Sequence, residues 1–319
     1  MSFASDARAE IARDLPAEKC CARSEFAAAL LAAGGIAFLG KNRYSLSLVT
    51  EDAPVARHFF ALLKRHFDVT CEIRTLRASG LNGQHIRYQV LVPEERVQML
   101  LAELQLLDEH YLFNIRTSPA DGLFRYSCCR AAFLKGAFLL CGAASNPEKA
   151  YHLEFATPNA DFAVSVQNML QYFEISAKNI NRKTKNVVYL KGGDQISAVF
   201  SVLGANNAVL ALENIRVKKD MRNYINRQIN CDSSNINRVV QSAEEKLQDI
   251  RYIDEQIGLD KLPASLREIA EVRLNNPATS LSGLGDLMTP PLGKSGVNAR
   301  LRRISEIANK LRSGEEVKL

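Results

Sequence analysis

"FLKGAFLLCGAAS", residues 133–145, is too apolar for a surface loop and too rich in glycine for an ordinary core helix. A glycine inside a helix costs about 1 kcal/mol relative to alanine, so its presence asks for a packing reason. An earlier stretch points to one. Cys128-Cys129 precedes the segment, and Cys20-Cys21 precedes "FAAALLAAGG" (26–35) at an offset of 108. At that offset Phe26 meets Leu134, Ala33 meets Cys141 and Gly34 meets Gly142. Each half is expected to start a helix just after its cysteine pair and to stop it at a glycine, a common helix terminator.

The similarity continues downstream. "YSLSLVTEDAPVA" from Tyr44 matches "YHLEFATPNADFA" from Tyr151. In each, alternating residues predict a strand (Tyr44, Leu46, Leu48; Tyr151, Leu153, Phe155). Helices are expected next over 55–67 and 162–173. Then "VTCEIRTLR", "HIRYQVLV" and "RVQMLLAELQLL" are answered by "ISAKNINRK", "NVVYLK" and "QISAVFSVLG". Each half therefore reads helix–strand–strand–helix–strand–strand–helix, a duplicated α+β unit rather than a short-period solenoid. Two equivalent helices related by a pseudo-twofold axis must pack at the centre. Ala28, Ala29, Ala32 and Ala33 in the first, with Gly136, Ala137 and Gly142 in the second, would let their backbones approach closely. The alternative is two unrelated core helices with a chance similarity, which the match through the strands disfavours.

The totals fit a chain of about two domains. It has 319 residues, 47% hydrophobic and 24% charged, with a net charge of +6. So mild a basicity says little about nucleic acid until the charges are located. No apolar run approaches the roughly 20 residues that span a bilayer, so no membrane partner is expected. "MSFASDARAEIARDLP" carries acids and no apolar core, so a secretory signal is not expected. The cytoplasm is the expected compartment, and the seven cysteines are read as reduced thiols.

The duplicated pattern centred on two small-residue helices resembles the LAGLIDADG homing endonucleases. "LKGAFLLCG" (134–142) lies on that nine-letter motif without a gap, and "FAAALLAAG" (26–34) lies on it less well. The resemblance implies that the residue before each final glycine is the position of a metal-binding acid. Magnesium prefers oxygen ligands, and here those positions hold Ala33 and Cys141. Glu25 and Asp121 do not sit at the motif position. The scaffold is therefore expected to be catalytically inactive, with no cofactor and no metal. Other catalytic signatures are missing: five scattered histidines form no ligand pair at helical spacing, and no P-loop, G-x-G-x-x-G or G-x-S-x-G is present. Cys20, Cys21, Cys128 and Cys129 could meet across the pseudo-axis as a zinc site, but adjacent cysteines are not the usual C-x₂-C spacing. They are read instead as buried thiols.

Beyond the second repeat, "NCDSSNIN" (230–237) reads as a linker, followed by a helix from about 235 to 257. Ile236, Val239, Val240, Ala243, Leu247 and Ile250 form one apolar stripe that needs a partner, expected in the terminal domain. "LPASLREIAEVRLNNP" predicts a helix between Pro263 and Pro277, "SLSGLGDLM" (280–288) a short second one, and "TPPLG" a turn. A third helix is expected over 294–312, with Val297, Leu301, Ile304, Ile307, Ala308 and Leu311 inward. From Lys294 to Arg312 there are six basic residues and one acid. Two short helices, a tight turn and a basic third helix read as helix-turn-helix over about 279–312; the alternative is a basic solvent face on a protein-binding bundle. The candidate DNA-binding residues are Ser280, Lys294, Ser295, Asn298, Arg300, Arg302 and Arg303. Ser295 and Asn298 suit base edges, whereas Arg302 and Arg303 suit phosphates. In the second repeat Lys178, Arg182, Lys183, Lys185 and Lys191 could track a duplex, or form a solvated loop.

"LPASLREIAEVRLNNPATSLSGLGDLMTPPLGKSGVNARLRRI" and "INRVVQSAEEKLQDIRYI" resemble the C-terminal half of the WhiA family of bacterial sporulation and cell-division regulators. The acid-less duplicated scaffold resembles that family's other half. Ala299 stands where the family pattern has histidine. The resemblance implies a non-enzymatic, nucleoid-associated transcription regulator binding double-stranded promoter DNA, with another regulator or RNA polymerase as candidate protein partners. The expected organisation is a duplicated LAGLIDADG-type αββαββα domain over 1–229 (repeats about 1–118 and 119–229), a linker and helix over 230–260, and an all-α helix-turn-helix domain over 261–319. The alternative function is an interaction protein of the division or chromosome-segregation machinery whose DNA binding is incidental.

Overall fold

A computed structural model of the chain describes residues 2–33, 35–40, 43–80, 83–107 and 115–315. After a leading helix α1 (Phe3–Ile11) comes the first repeat: α2 (Lys19–Ala33), β1 (Ile36–Gly40), β2 (Arg43–Thr50), α3 (Ala53–Phe67), β3 (Glu72–Gly80), β4 (Gly83–Val92) and α4 (Glu94–Glu103). The second repeat returns the same order: α5 (Ser127–Cys141), β5 (Gly142–Ala144), β6 (Leu153–Thr157), α6 (Ala160–Tyr172), β7 (Lys178–Arg182), β8 (Lys185–Leu190) and α7 (Gly193–Val202). The long α8 (Asn206–Ile257), then α9 (Ala264–Asn275), α10 (Leu281–Asp286) and α11 (Lys294–Ser313), follow. The chain divides into two compact units, residues 1–220 and 221–319, and the division falls within α8.

The duplicated αββαββα unit is as the repeat predicts. Each half builds a four-stranded antiparallel sheet with its hairpins crossed in the same way, β1-β2-β4-β3 and β5-β6-β8-β7. Alternation sets the register. Leu48 pairs with Val90 and Phe155 with Val188, all buried on the helix side of their sheets. The helix stops are local too. α3 opens at Asp52 with proline in its first turn, and closes on Asp68 in the left-handed conformation, φ 51°. α6 is capped by Asn159, whose side chain accepts from the Phe162 amide at 3.1 Å.

The centre of the unit is the α2–α5 packing. Phe26, Ala27, Ala28, Ala29, Phe133, Leu134, Ala137 and Phe138 are fully buried in one continuous core shared by both repeats. Gly136 is a point of close approach: a Cβ placed there would lie 2.0 Å from the Glu25 carbonyl oxygen. Glycine is required because the backbone of α2 fills the space a side chain would take.

Three expectations need correction. Both central helices begin before their cysteine pairs, at Lys19 and Ser127, not after them, because nothing in a Cys-Cys pair breaks a helix. The predicted linker over 230–237 is helical, and α8 runs unbroken through it. Asn, Asp and Ser are poor helix formers, at up to about 0.7 kcal/mol each, but only glycine and proline break helices, and neither occurs between 206 and 257. Gly258, at φ 83°, ends the helix. The stripe on this helix finds its partner only in part. Leu247 and Ile250 are buried, Ile250 in the core shared with α9–α11, whereas Ile236, Val239 and Val240 are exposed.

The C-terminal unit closes around Ile250, Ile253, Leu266, Ile269, Leu284, Val297, Leu301 and Ile304. α11 turns Val297, Leu301, Ile304, Ile307 and Ala308 inward as its three–four spacing predicts, with Leu311 partly buried at the edge.

Candidate nucleic-acid interface

The turn between α10 and α11 is held tightly. The Leu292 amide donates to the Gly285 carbonyl at 2.9 Å, and a Cβ on Gly285 would lie 1.9 Å from the Leu292 carbonyl oxygen. Glycine at 285 therefore fixes how closely α11 approaches α10. Ser280 caps α10, accepting from the Gly283 amide at 3.2 Å. Its place is thus structural at the start of the first helix of the motif, apart from any contact it makes outside.

With the apolar face of α11 turned inward, its opposite face follows from the helix period. Ser295, Asn298, Ala299, Arg302 and Glu306 recur at steps of three and four along it, and all are solvent-exposed. Lys294 and Arg303 are also exposed, at its margins. Of the candidates on α11, Arg300 is placed apart: it turns back toward α9, with Nη1 3.8 Å from Glu268 Oε2 and donating to the Ser265 carbonyl at 3.4 Å. Arg312 is structural as well. It donates to Asp249 at 2.8 Å and lies over the Tyr252 ring, tying α11 to the end of α8.

Glu306 was not a candidate, yet it engages two of them. Arg302 Nε lies 3.5 Å from its Oε1, and Arg303 Nη1 donates to its Oε2 at 3.0 Å. The i,i+3 and i,i+4 spacing could have revealed this from sequence. Exposed pairs of this kind are worth roughly 0–1 kcal/mol, so a phosphate can displace Glu306 at little cost.

In the duplicated unit, Cys141 ends α5 in the motif position and is partly buried. Burial pushes its thiol up to about 12, so it is a neutral group at neutral pH and a poor ligand for a hard cation. Its counterpart Ala33 ends α2, and its side chain, with Gly34, lies outside the described residues. Glu25 is fully buried elsewhere, its Oε1 2.5 Å from His58 Nε2, with His58 Nδ1 3.0 Å from the Ala12 carbonyl. This pair joins residues 33 apart on α2 and α3, and no sequence signal announced it.

Both sheets carry exposed cations. In the first, Arg74 and Arg87 pair with Glu72 and Glu51. In the second, Lys178, Lys183 and Lys185 are exposed without an ion-pair partner among the described residues. Arg182 stands 3.7 Å from Glu154, and Lys191 lies over the Tyr189 ring. Of the four paired cysteines, Cys20, Cys21 and Cys129 come within 4.8 Å of one another, and Cys21 and Cys129 are the two that are buried. Cys20 is half-buried and Cys128 exposed, which corrects the reading of four buried thiols.

This architecture defines a class: a duplicated LAGLIDADG-type scaffold without the motif carboxylates, joined to a helix-turn-helix domain. Three family models match in the same order along the chain: the WhiA N-terminal LAGLIDADG-like domain over 19–107, the WhiA LAGLIDADG-like domain over 130–222 and the WhiA C-terminal HTH domain over 225–308. The chain belongs to the WhiA family. It is 41% identical to a protein of Desulforamulus reducens named "Probable cell division protein WhiA", over 99% of this chain and 98% of that one. It is 37% identical to one of the same name from Clostridium botulinum, over 98% of this chain and 100% of that one. The crystal structure of full-length DUF199/WhiA from Thermatoga maritima shares the fold, with a TM-score of 0.60 at 21% identity, covering 97% of this chain and 99% of that chain.

Proposed function

We propose that the protein is a sequence-specific, double-stranded-DNA-binding transcription regulator acting at promoters in cell division and sporulation, and that it is not a nuclease. The observation that carries this reading is the exposed face of α11. Uncharged hydrogen-bonding groups, Ser295 and Asn298, sit near its start. Arg302 and Arg303 follow, and among the described residues their one ion-pair partner is an exposed, displaceable acid. Such a division suits base edges first and phosphates behind them. The name borne by the relatives supports the cell-division assignment, and a cytoplasmic, nucleoid-associated location follows from the reading. Lys178, Lys183 and Lys185 of the second sheet, without an ion-pair partner among the described residues, offer a second, sequence-independent contact. Lys294 at the amino end of α11 suits a phosphate, whereas Arg300, engaged with α9, contributes through the fold.

The test is binding of the full chain to promoter and random duplexes. Arg303→Ala should weaken both alike. Asn298→Ala should relax preference at one position by roughly 1–3 kcal/mol. With about five phosphates neutralised, log K should fall with log salt at a slope of roughly −4.5. Equal loss for both duplexes on Asn298→Ala rejects its readout role.

A second reading, an interaction protein of the division or segregation machinery, is favoured by the exposed Ile225, Ile229, Ile236, Val239 and Val240 of α8. Genome-wide occupancy separates the two. Occupancy of a few promoters supports the regulator, and diffuse or absent occupancy with a division defect supports the interaction protein. Partnership with another regulator or RNA polymerase belongs to either reading.

A further inference from the structure

The cysteine pairs lie at the amino ends of α2 and α5, the opposite ends from Ala33 and Cys141. Both pairs fall in the first turn of their helices. Packing of α2 on α5 brings together residues 108 apart in the chain. The sulfurs of Cys20, Cys21 and Cys129 lie within 4.8 Å of one another. Cys128 stands at the edge of this trio: its side chain interacts with Cys21, as that of Cys20 does with Cys129. In a tetrahedral thiolate site with bonds near 2.3 Å, the sulfurs stand about 3.8 Å apart. We propose that Cys20, Cys21, Cys128 and Cys129 form a binding site for a soft divalent cation, zinc in chemical class, that clasps the two repeats together.

Two features support a cation over a set of inert thiols. Soft thiolate donors select zinc-like ions over magnesium. Two helix amino ends converge on the cluster, and their dipoles favour the thiolate form that a metal needs. Each ligating thiol releases its proton to solvent as its sulfur binds, and no oxidant is consumed. An entry path exists, because Cys128 is exposed and, with Cys21, lines a cavity of about 310 Å³. Glu25 lines the same cavity one turn along α2, and its Oε2 is buried without a hydrogen-bond partner.

The experiment uses the full-length chain, fully reduced, titrated with Co²⁺ under argon. One Co²⁺ per chain should bind, with thiolate-to-cobalt charge transfer and the intense visible bands of a tetrahedral site, and Zn²⁺ should bleach them. Cys20→Ser and Cys129→Ser should lose the bands, while Cys71→Ser and Cys231→Ser keep them. Because a serine at the helix interface can itself unfold the pair, the unmodified chain supplies a second readout. Zinc loading should abolish iodoacetamide labelling of Cys20 and Cys128, while exposed Cys231 labels as before. Absence of saturable binding, bands that survive in both serine variants, or unchanged labelling overturns the proposal. So does quantitative Cys20–Cys129 disulfide formation in a chain without metal affinity, which would make the cluster a redox cross-link. None of these outcomes depends on DNA binding.

Discussion

Replacing Gly136 by alanine adds one methyl group at a close approach of the two repeats. The new Cβ would sit 2.0 Å from the Glu25 carbonyl oxygen, and real Cβ atoms essentially never come within 3.0 Å. The obstacle is main chain of a buried helix, not the end of a flexible side chain, so α2 and α5 must separate by about 1 Å. Their facing residues, Phe26, Ala28, Ala29, Phe133 and Ala137, are buried to within 1% of full. A gap of 0.5–1 Å forfeits about a quarter to a half of each dispersion contact. Overpacking at such a site costs about 1–3 kcal/mol, or roughly 2–12 °C in Tm for a unit of this size. Gly136→Leu should cost more. The control is Gly192→Ala, where the nearest atom lies at an ordinary 3.6 Å and the change should stay within about 0.5 kcal/mol. Calorimetry of the two alanine variants decides the point. A Gly136→Ala protein that melts with the parent would refute the close packing and, with it, the reason given for glycine in this helix.

Other perturbations test other links. Glu306→Gln frees Arg302 and Arg303, and should tighten binding to promoter and random DNA alike by roughly two- to fivefold, the equivalent of the up to about 1 kcal/mol that holds exposed pairs; fluorescence anisotropy showing no gain would mean that those arginines do not meet phosphate. Burial pushes the Cys71 thiol from 9.0 up to about 11. A pKa raised on folding contributes stability that is complete below 9 and lost as pH climbs toward 11. The fall in Tm across that window should therefore be shallower in Cys71→Ala, and an identical slope would exclude Cys71 as its source. Plasmid incubated with the protein and Mg²⁺ or Mn²⁺ should remain supercoiled, also for Ala33→Asp combined with Cys141→Asp, because cleavage further needs a positioned water and bent substrate; metal-dependent, EDTA-sensitive nicking by the native chain would sink the inactive-scaffold reading.

Some of this molecule was legible in the sequence because the relevant physics is local and periodic. Alternation along 44–48 and 153–155 marked strand faces, and the three–four spacing of Val297, Leu301, Ile304 and Ile307 marked the inward face of α11. The repeat at offset 108 implied that two small-residue helices meet. What the sequence could not rank was competing local tendencies. The Asn/Ser-rich run at 230–237 looked like a linker, yet each weak helix former there costs only tenths of a kcal/mol, and no breaker interrupts α8. Sequence was silent where a side chain's partner lies on another element. Arg300 counts as one more cation until α9 brings Glu268 beside it, and Glu25 shows no reason to be buried until α3 brings His58. Cys20, Cys21 and Cys129 come together only through the packing of α2 on α5. Patterning dictates which face of an element is buried. Which charges, thiols and backbone atoms then touch is decided by the distance and angle at which packed elements cross, and those are fixed by three-dimensional contacts such as Gly136 against the Glu25 carbonyl.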